Sequence, residues 1–197
     1  MATTLDHVRA CLDEVSLRYH HDEENDALII GFLLDGEKTG FRDTHGKARV
    51  QVVVRVTEDG EFITAFTPHA WNLAGCPHLG AVFEALVTIQ SQYKMVRFEH
   101  DPADGELRPN VEMPLEDAEL GARQLHRVIS GIVDSVQRYD AVIRHARDTG
   151  EVSFALARQD RVPSAPQPEI DRLRRLIDEA GGLDELVRVV GVMDGEG

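Results

Sequence analysis

Lysine is scarce in this chain: Lys38, Lys47 and Lys94 are the only ones, and every other cationic side chain is arginine. Acids outnumber bases, 35 against 21, for a formal net charge of −14. Neutralising phosphates takes clustered Lys and Arg, so this balance excludes a general nucleic-acid binder. It also disfavours docking on an anionic membrane face. Cysteine is nearly missing too. Cys11 and Cys76 stand far apart, follow no metal or redox spacing, and are expected as free thiols in a reducing cytosol. No apolar run reaches the roughly 18 residues that a membrane span needs. The first residues carry acids early and lack a continuous apolar stretch, so we expect no secretory or transit signal and a cytoplasmic location. G-x-S-x-G, a phosphate-cradling glycine loop and H-E-x-x-H are all lacking, which points away from an enzyme and from a cofactor.

Histidine is better represented, but no metal site is expected. His69, Cys76 and His78 share one loop and are ligand types for zinc, yet their spacing matches no zinc pattern. We expect this loop to cap the helix that follows it. His20 and His21, ahead of Asp22, Glu23 and Glu24, are expected at a solvated helix end. Cys11 falls on or beside an apolar helical stripe and is expected as a small core residue.

The chain is rich in periodicity. Residues 4–19 repeat Leu5, Val8, Leu12, Val15 and Tyr19 at helical steps behind Thr3 or Thr4 as a cap. Residues 27–34 are apolar on both alternating faces, as in a strand covered on both sides or one that keeps a face for a ligand. Val50, Val52, Val54 and Val56 alternate as a half-buried strand, and the turn Glu58-Asp59-Gly60 returns the chain through residues 61–67. Residues 78–94 resume a helical period. A second hairpin pairs residues 95–100 with 106–113, and Pro109 is expected to push the latter strand to a sheet edge or a bulge. Residues 116–147 form a long helix, with Pro114 at its entrance and Glu116, Asp117 and Glu119 at its positive end.

Strands in hairpins with helices between them indicate an α+β fold: an antiparallel sheet of about five strands in the order αβββαββα. Residues 1–160 hold this domain, 161–168 a Pro-rich linker, and 169–197 a helical tail. In that tail Ile170, Leu173, Leu176 and Ile177 form one apolar stripe, and Leu183, Leu186, Val187 and Val190 a second. The tail either completes the core, serves another protein, or covers apolar surface of the domain in place of a partner.

This order resembles that of the YbjN-like and type III secretion chaperone-like (CesT-like) family. The likeness is sharpest over residues 93–120, YKMVRFEHDPADGELRPNVEMPLEDAEL: a basic, aromatic strand, an acidic turn, and a second strand running into P-L-E-D-A. The resemblance implies a bacterial, non-enzymatic homodimer that presents apolar surface to an extended polypeptide partner. We place that partner along Leu28, Ile30, Phe32, Val52, Val54, Phe62 and Phe66. Trp71, in a Pro- and Gly-bounded loop, is either packed as a lid or offered to the partner. The second reading is a regulator that senses a small ligand in a pocket between sheet and helices.

Overall fold

The computed structural model describes residues 2–34, 39–42, 47–116 and 118–157; the linker and helical tail expected over 161–197 lie outside them. The elements are α1 (Leu5–Glu14), β1 (His20–Asp22), β2 (Ala27–Leu33), β3 (Arg49–Thr57), β4 (Phe62–Phe66), β5 (Trp71–Asn72), α2 (Leu79–Gln90), β6 (Arg97–His100), β7 (Glu106–Pro114) and α3 (Ala122–Thr149). The fold is α+β. Its strands run β1-β2-β3-β4-β7, with β5 and β6 also on β7, and every pairing is antiparallel.

Local chemistry explains most boundaries. Thr4 accepts a hydrogen bond from the His7 N–H at 3.2 Å, a cap worth about 1 kcal/mol. Val8, Cys11 and Leu12 then bury one face of α1, which ends before Ser16 takes a left-handed φ of 57°. Tyr19 is therefore outside the helix. The expected solvated end at His20 and His21 is instead β1, with His21 opposite Leu28. The hairpin between β3 and β4 turns through Glu58, Asp59 and Gly60, all at positive φ.

Strand alternation divides the sheet into two faces. On the inner face Leu28 pairs with Val54, Ile30 with Val52, and Ala65 with both Val54 and Val111. These side chains join Leu125, Ile129, Ile132, Val136 and Ile143 of α3 in one core. Each such burial contributes roughly 1.5–3 kcal/mol before chain entropy is subtracted. At 1.5 Å per residue α3 is about 42 Å long, and α1, α2, β3, β4 and β7 all pack against it.

Three further expectations need correction. β7 is neither an edge nor bulged: β4 pairs with its residues 110–114, β5 with 106–107, and β6 with 107–110. Pro109 is tolerated because its missing N–H falls in the gap between the β4 and β5 pairings, where its carbonyl still accepts from Thr67 N–H at 3.2 Å. Pro114 closes β7 rather than opening α3, and α3 starts only at Ala122, where the Gln124 side-chain oxygen accepts the Gly121 N–H at 2.9 Å. His78 holds the N-cap position of α2 without a side-chain cap bond.

Two tyrosines lock α3 to the segment before β6. The Tyr93 hydroxyl donates to Asp134 at 2.6 Å and the Tyr139 hydroxyl to Gln92 at 2.7 Å. Burial, then the bond to Asp134, pushes the Tyr93 phenol far above its ordinary value. Burial also raises Tyr139, against the opposing charge of Arg138. A raised folded-state pKa makes this contribution complete below pH about 10 and loses it above, because unfolded phenols ionise first. Stability should then fall by up to about 1.4 kcal/mol per pH unit for each of these tyrosines. Phenolate absorbance from both should rise together with unfolding measured by circular dichroism. In Tyr19→Phe protein, which keeps only these two tyrosines, phenolate appearing while the protein remains folded would contradict these bonds.

Candidate functional site

Every second residue of the strands points away from the helices. Ile29, Gly31 and Leu33 of β2 lie beside Val53, Gln51 and Arg49 of β3, and Val53 lies beside Phe66 of β4. Phe66 is followed across the sheet by Asn110 and Arg97. The described helices pack on the inner face or on α3, so among the described residues no helix covers this outer face. Leu33 is 77% exposed there, and Phe62 and Phe66 are half-buried outside the main core.

Phe66 is the centre of this face. The guanidinium carbons of Arg108 and Arg55 lie over its ring, 4.9 and 5.6 Å from the centroid, each contact worth roughly 0.5–1 kcal/mol. Glu99 organises the neighbouring arginines: it accepts from Asn110 at 2.6 Å, from Arg108 at 3.2 Å and from the Arg97 Nε at 3.2 Å. Arg97 also reaches Glu112. Burial raises the Glu99 carboxyl, but the bonds from Asn110, Arg108 and Arg97 more than offset this and hold it below its ordinary value. Arg49, Arg55, Arg97 and Arg108 thus share this face with Asp22, Glu99, Glu106 and Glu112, Glu106 pairing with Arg108 at 3.4 Å. On a chain of net charge −14 this face carries matched charge of both signs.

The residues singled out from the sequence separate between the two faces. Leu28, Ile30, Val52 and Val54 are at most 1% exposed and spend their side chains on the core. Phe32 is half-buried against the same core, while Phe62 and Phe66 stand outside it. Trp71 takes the packed placement: it is 5% exposed, with its ring 5.5 Å from Phe41 and 6.2 Å from Phe98. Its indole N–H donates to Asp140 at 3.1 Å. Asp140, 1% exposed within α3, also accepts from the Thr39 hydroxyl at 3.1 Å and the Gly40 N–H at 2.7 Å, and it pairs with Arg144 at 3.0 Å. This buried carboxylate pins residues 39–42 over the Trp71 ring.

The loop histidines find separate partners. His69 donates its backbone N–H to Glu106 at 2.7 Å, and the Cys76 thiol faces the Arg147 carbonyl at 3.7 Å. Among the described residues no group of three or more His, Cys, Asp or Glu side chains is placed to hold a metal ion, and no helix is long and apolar enough to cross a membrane. Cys11 is buried, and burial followed by Glu14 and Glu119 raises its thiol pKa. That environment suits packing rather than nucleophilic attack.

Periodicity alone missed the arginine–phenylalanine arrangement and the Asp140 clamp. A usable signal existed for the latter: Asp140 lies on the apolar stripe of α3, four residues after Val136 and three before Ile143.

No protein-family model and no curated protein matches the chain. Solved structures similar to it include YbjN from E. coli, 11% identical at a TM-score of 0.49, covering 72% of this chain and 94% of that one. The ExsC–ExsE complex is 11% identical at a TM-score of 0.45, over 71% and 92%. The HopA1–SchA chaperone–effector complex is 9% identical at 0.41, over 68% and 94%. These neighbours, YbjN and chaperone–effector complexes, are of the kinds that the sequence resembles.

Proposed function

We propose that this chain is a non-enzymatic, chaperone- or adaptor-like module that holds an extended segment of a partner polypeptide on the outer face of its sheet. The observation that carries this reading is Phe66, half-exposed under Arg55 and Arg108 at the centre of a sheet face free of described helices. Aromatic and arginine side chains are the types enriched where proteins meet, and a rigid aromatic costs little entropy to immobilise. Ile29 and Leu33 extend the apolar strip to one side, over Val53, which is only 8% exposed. The arginines and carboxylates around the ring favour a partner segment of mixed charge, oriented by those charges and held by the ring. Leu28, Ile30, Val52 and Val54 serve this surface from beneath by fixing the strands that carry it.

The test places a photo-crosslinking residue at Thr64, between Phe62 and Phe66, in protein produced in its native source. A polypeptide adduct is expected, and Phe66→Asp should abolish it with the circular dichroism spectrum unchanged. An adduct that survives Phe66→Asp, or purified protein that retains a small molecule and no polypeptide, would overturn the reading.

A homodimer belongs to the same proposal. The apolar surplus on residues 27–34 is largely absorbed by the core, but α2 leaves Val87 73% and Phe83 40% exposed one helical turn apart. Light scattering should give twice the 21.9 kDa of one chain, and Val87→Glu should return it to one. A wild-type monomer at micromolar concentration would remove the dimer without touching the outer-face reading.

A further inference from the structure

Between α3 and the segment that joins α2 to β6 lies a cavity of about 410 Å³, within the range of small-molecule sites. Its walls combine apolar surface from Met95, Val96 and Val128 with the rings of Tyr93 and Tyr139. Three cations also line it: Lys94, Arg127 and Arg138. Among the described residues no ion pair involves Lys94, Arg127 or Arg138. Arg138 contacts the Tyr139 ring at 5.6 Å, and its Nε is buried without a hydrogen-bond partner. The carboxylate in this wall, Asp134, accepts the Tyr93 hydroxyl through Oδ2 at 2.6 Å, while its Oδ1 is buried without a hydrogen-bond partner. Even counting Asp134, the lining retains a positive surplus.

We propose that this cavity binds a small organic anion, a carboxylate carried on a flat apolar or aromatic body. Arg138 and Lys94 take the carboxylate, with Arg127 adding charge at the rim, while Met95, Val128 and the tyrosine rings hold the body. Burial of part of the Arg138 guanidinium strengthens a charged hydrogen bond to such a ligand over one made in open water. Glycine at position 131 keeps the α3 wall of the cavity low. The site is independent of the polypeptide-binding face, because its lining comes from α3 and residues 92–96 rather than from the outer residues of the sheet.

Benzoate and its neutral isostere benzamide are suitable probes. Titrated into the full chain at millimolar concentration, benzoate should shift amide resonances of residues 92–96 and 127–139. Benzamide should bind at least about tenfold more weakly, since it lacks the charge that the arginines recognise. Arg138→Gln should weaken benzoate by a similar factor. Lys94→Gln, at an exposed position that disturbs no packing, should weaken it about threefold and guards against misfolding of the first variant. Equal binding of the two probes, shifts centred elsewhere, or no change in either variant would each overturn the proposal. So would no benzoate binding at all, which would mean that the cations are merely solvated.

Discussion

Asp140→Ala should lower the unfolding free energy by about 3–5 kcal/mol, the range for removing one partner from a buried charged network. The carboxylate serves four groups at once, and its loss leaves the Trp71 indole N–H, the Thr39 hydroxyl and the Gly40 N–H without their acceptor. Arg144, partly exposed, recovers some of its share from water. Unpaired buried donors cost about 1–3 kcal/mol each, so the three alone account for the range. Trp71 is the single tryptophan and reports directly, because its emission should shift to longer wavelength as residues 39–42 release. Chemical denaturation of Asp140→Ala beside wild type measures the effect. A change below about 1 kcal/mol would show that the clamp adds little. Asp140→Asn, which keeps an acceptor for the indole, should fall between the two.

Gly105→Val should be nearly as damaging, for a backbone reason. Gly105 sits at φ 78° in the turn between β6 and β7, its N–H bonded to Asp101 at 2.8 Å and its carbonyl accepting from Leu73 at 2.7 Å. A Cβ there would lie 2.3 Å from the backbone nitrogen of Ala74 and 2.7 Å from its Cα, and neither atom belongs to a side chain that can swing aside. Left-handed backbone in a branched residue costs about 1–3 kcal/mol, and forced overpacking about as much again. Gly75 provides the control. It too has a positive φ, of 68°, but a Cβ would meet nothing within 4 Å, so Gly75→Ala should show the backbone cost alone. Equal melting temperatures for Gly105→Val and Gly75→Ala would refute the close approach. The Gly105 change should also loosen β5, whose Trp71 pairs with Leu107 two residues further on.

Legibility followed the range of each interaction. The β3 valines and the apolar stripe of α3 repeat within a few residues, so period alone placed both. β1 and β5, three and two residues long, exist because distant segments offer them an edge, and no local pattern announces that. Pro114 with the acids after it imitates a helix entrance, yet the registered pairing of Phe62 with Pro114 takes this residue into the sheet. Pro109 imitates an edge residue, and only the spacing of β4 and β5 along β7 shows why an interior strand accepts it. The candidate site divided for a related reason. Residues 27–34 are apolar on both faces, so alternation could not say which of them would meet the helices. Phe62 and Phe66 stood out as aromatic, but the arginine neighbours of Phe66 arrive from β3 and β7, ten or more residues away in sequence.

The alternation of the strands also has a consequence for sequence change over generations. Inner residues such as Val52, Val54 and Ala65 answer to the core, while outer residues such as Val53, Arg55 and Phe66 answer to whatever lies outside. Substitution at one set leaves the other almost untouched. A lineage can therefore rewrite the exposed positions one by one, exchanging arginine for acid or phenylalanine for valine, while the hidden positions hold the shape. Odd positions of β3 should accordingly change in step with the partner and even ones stay fixed with the core, a two-residue rhythm that an alignment of descendants would display.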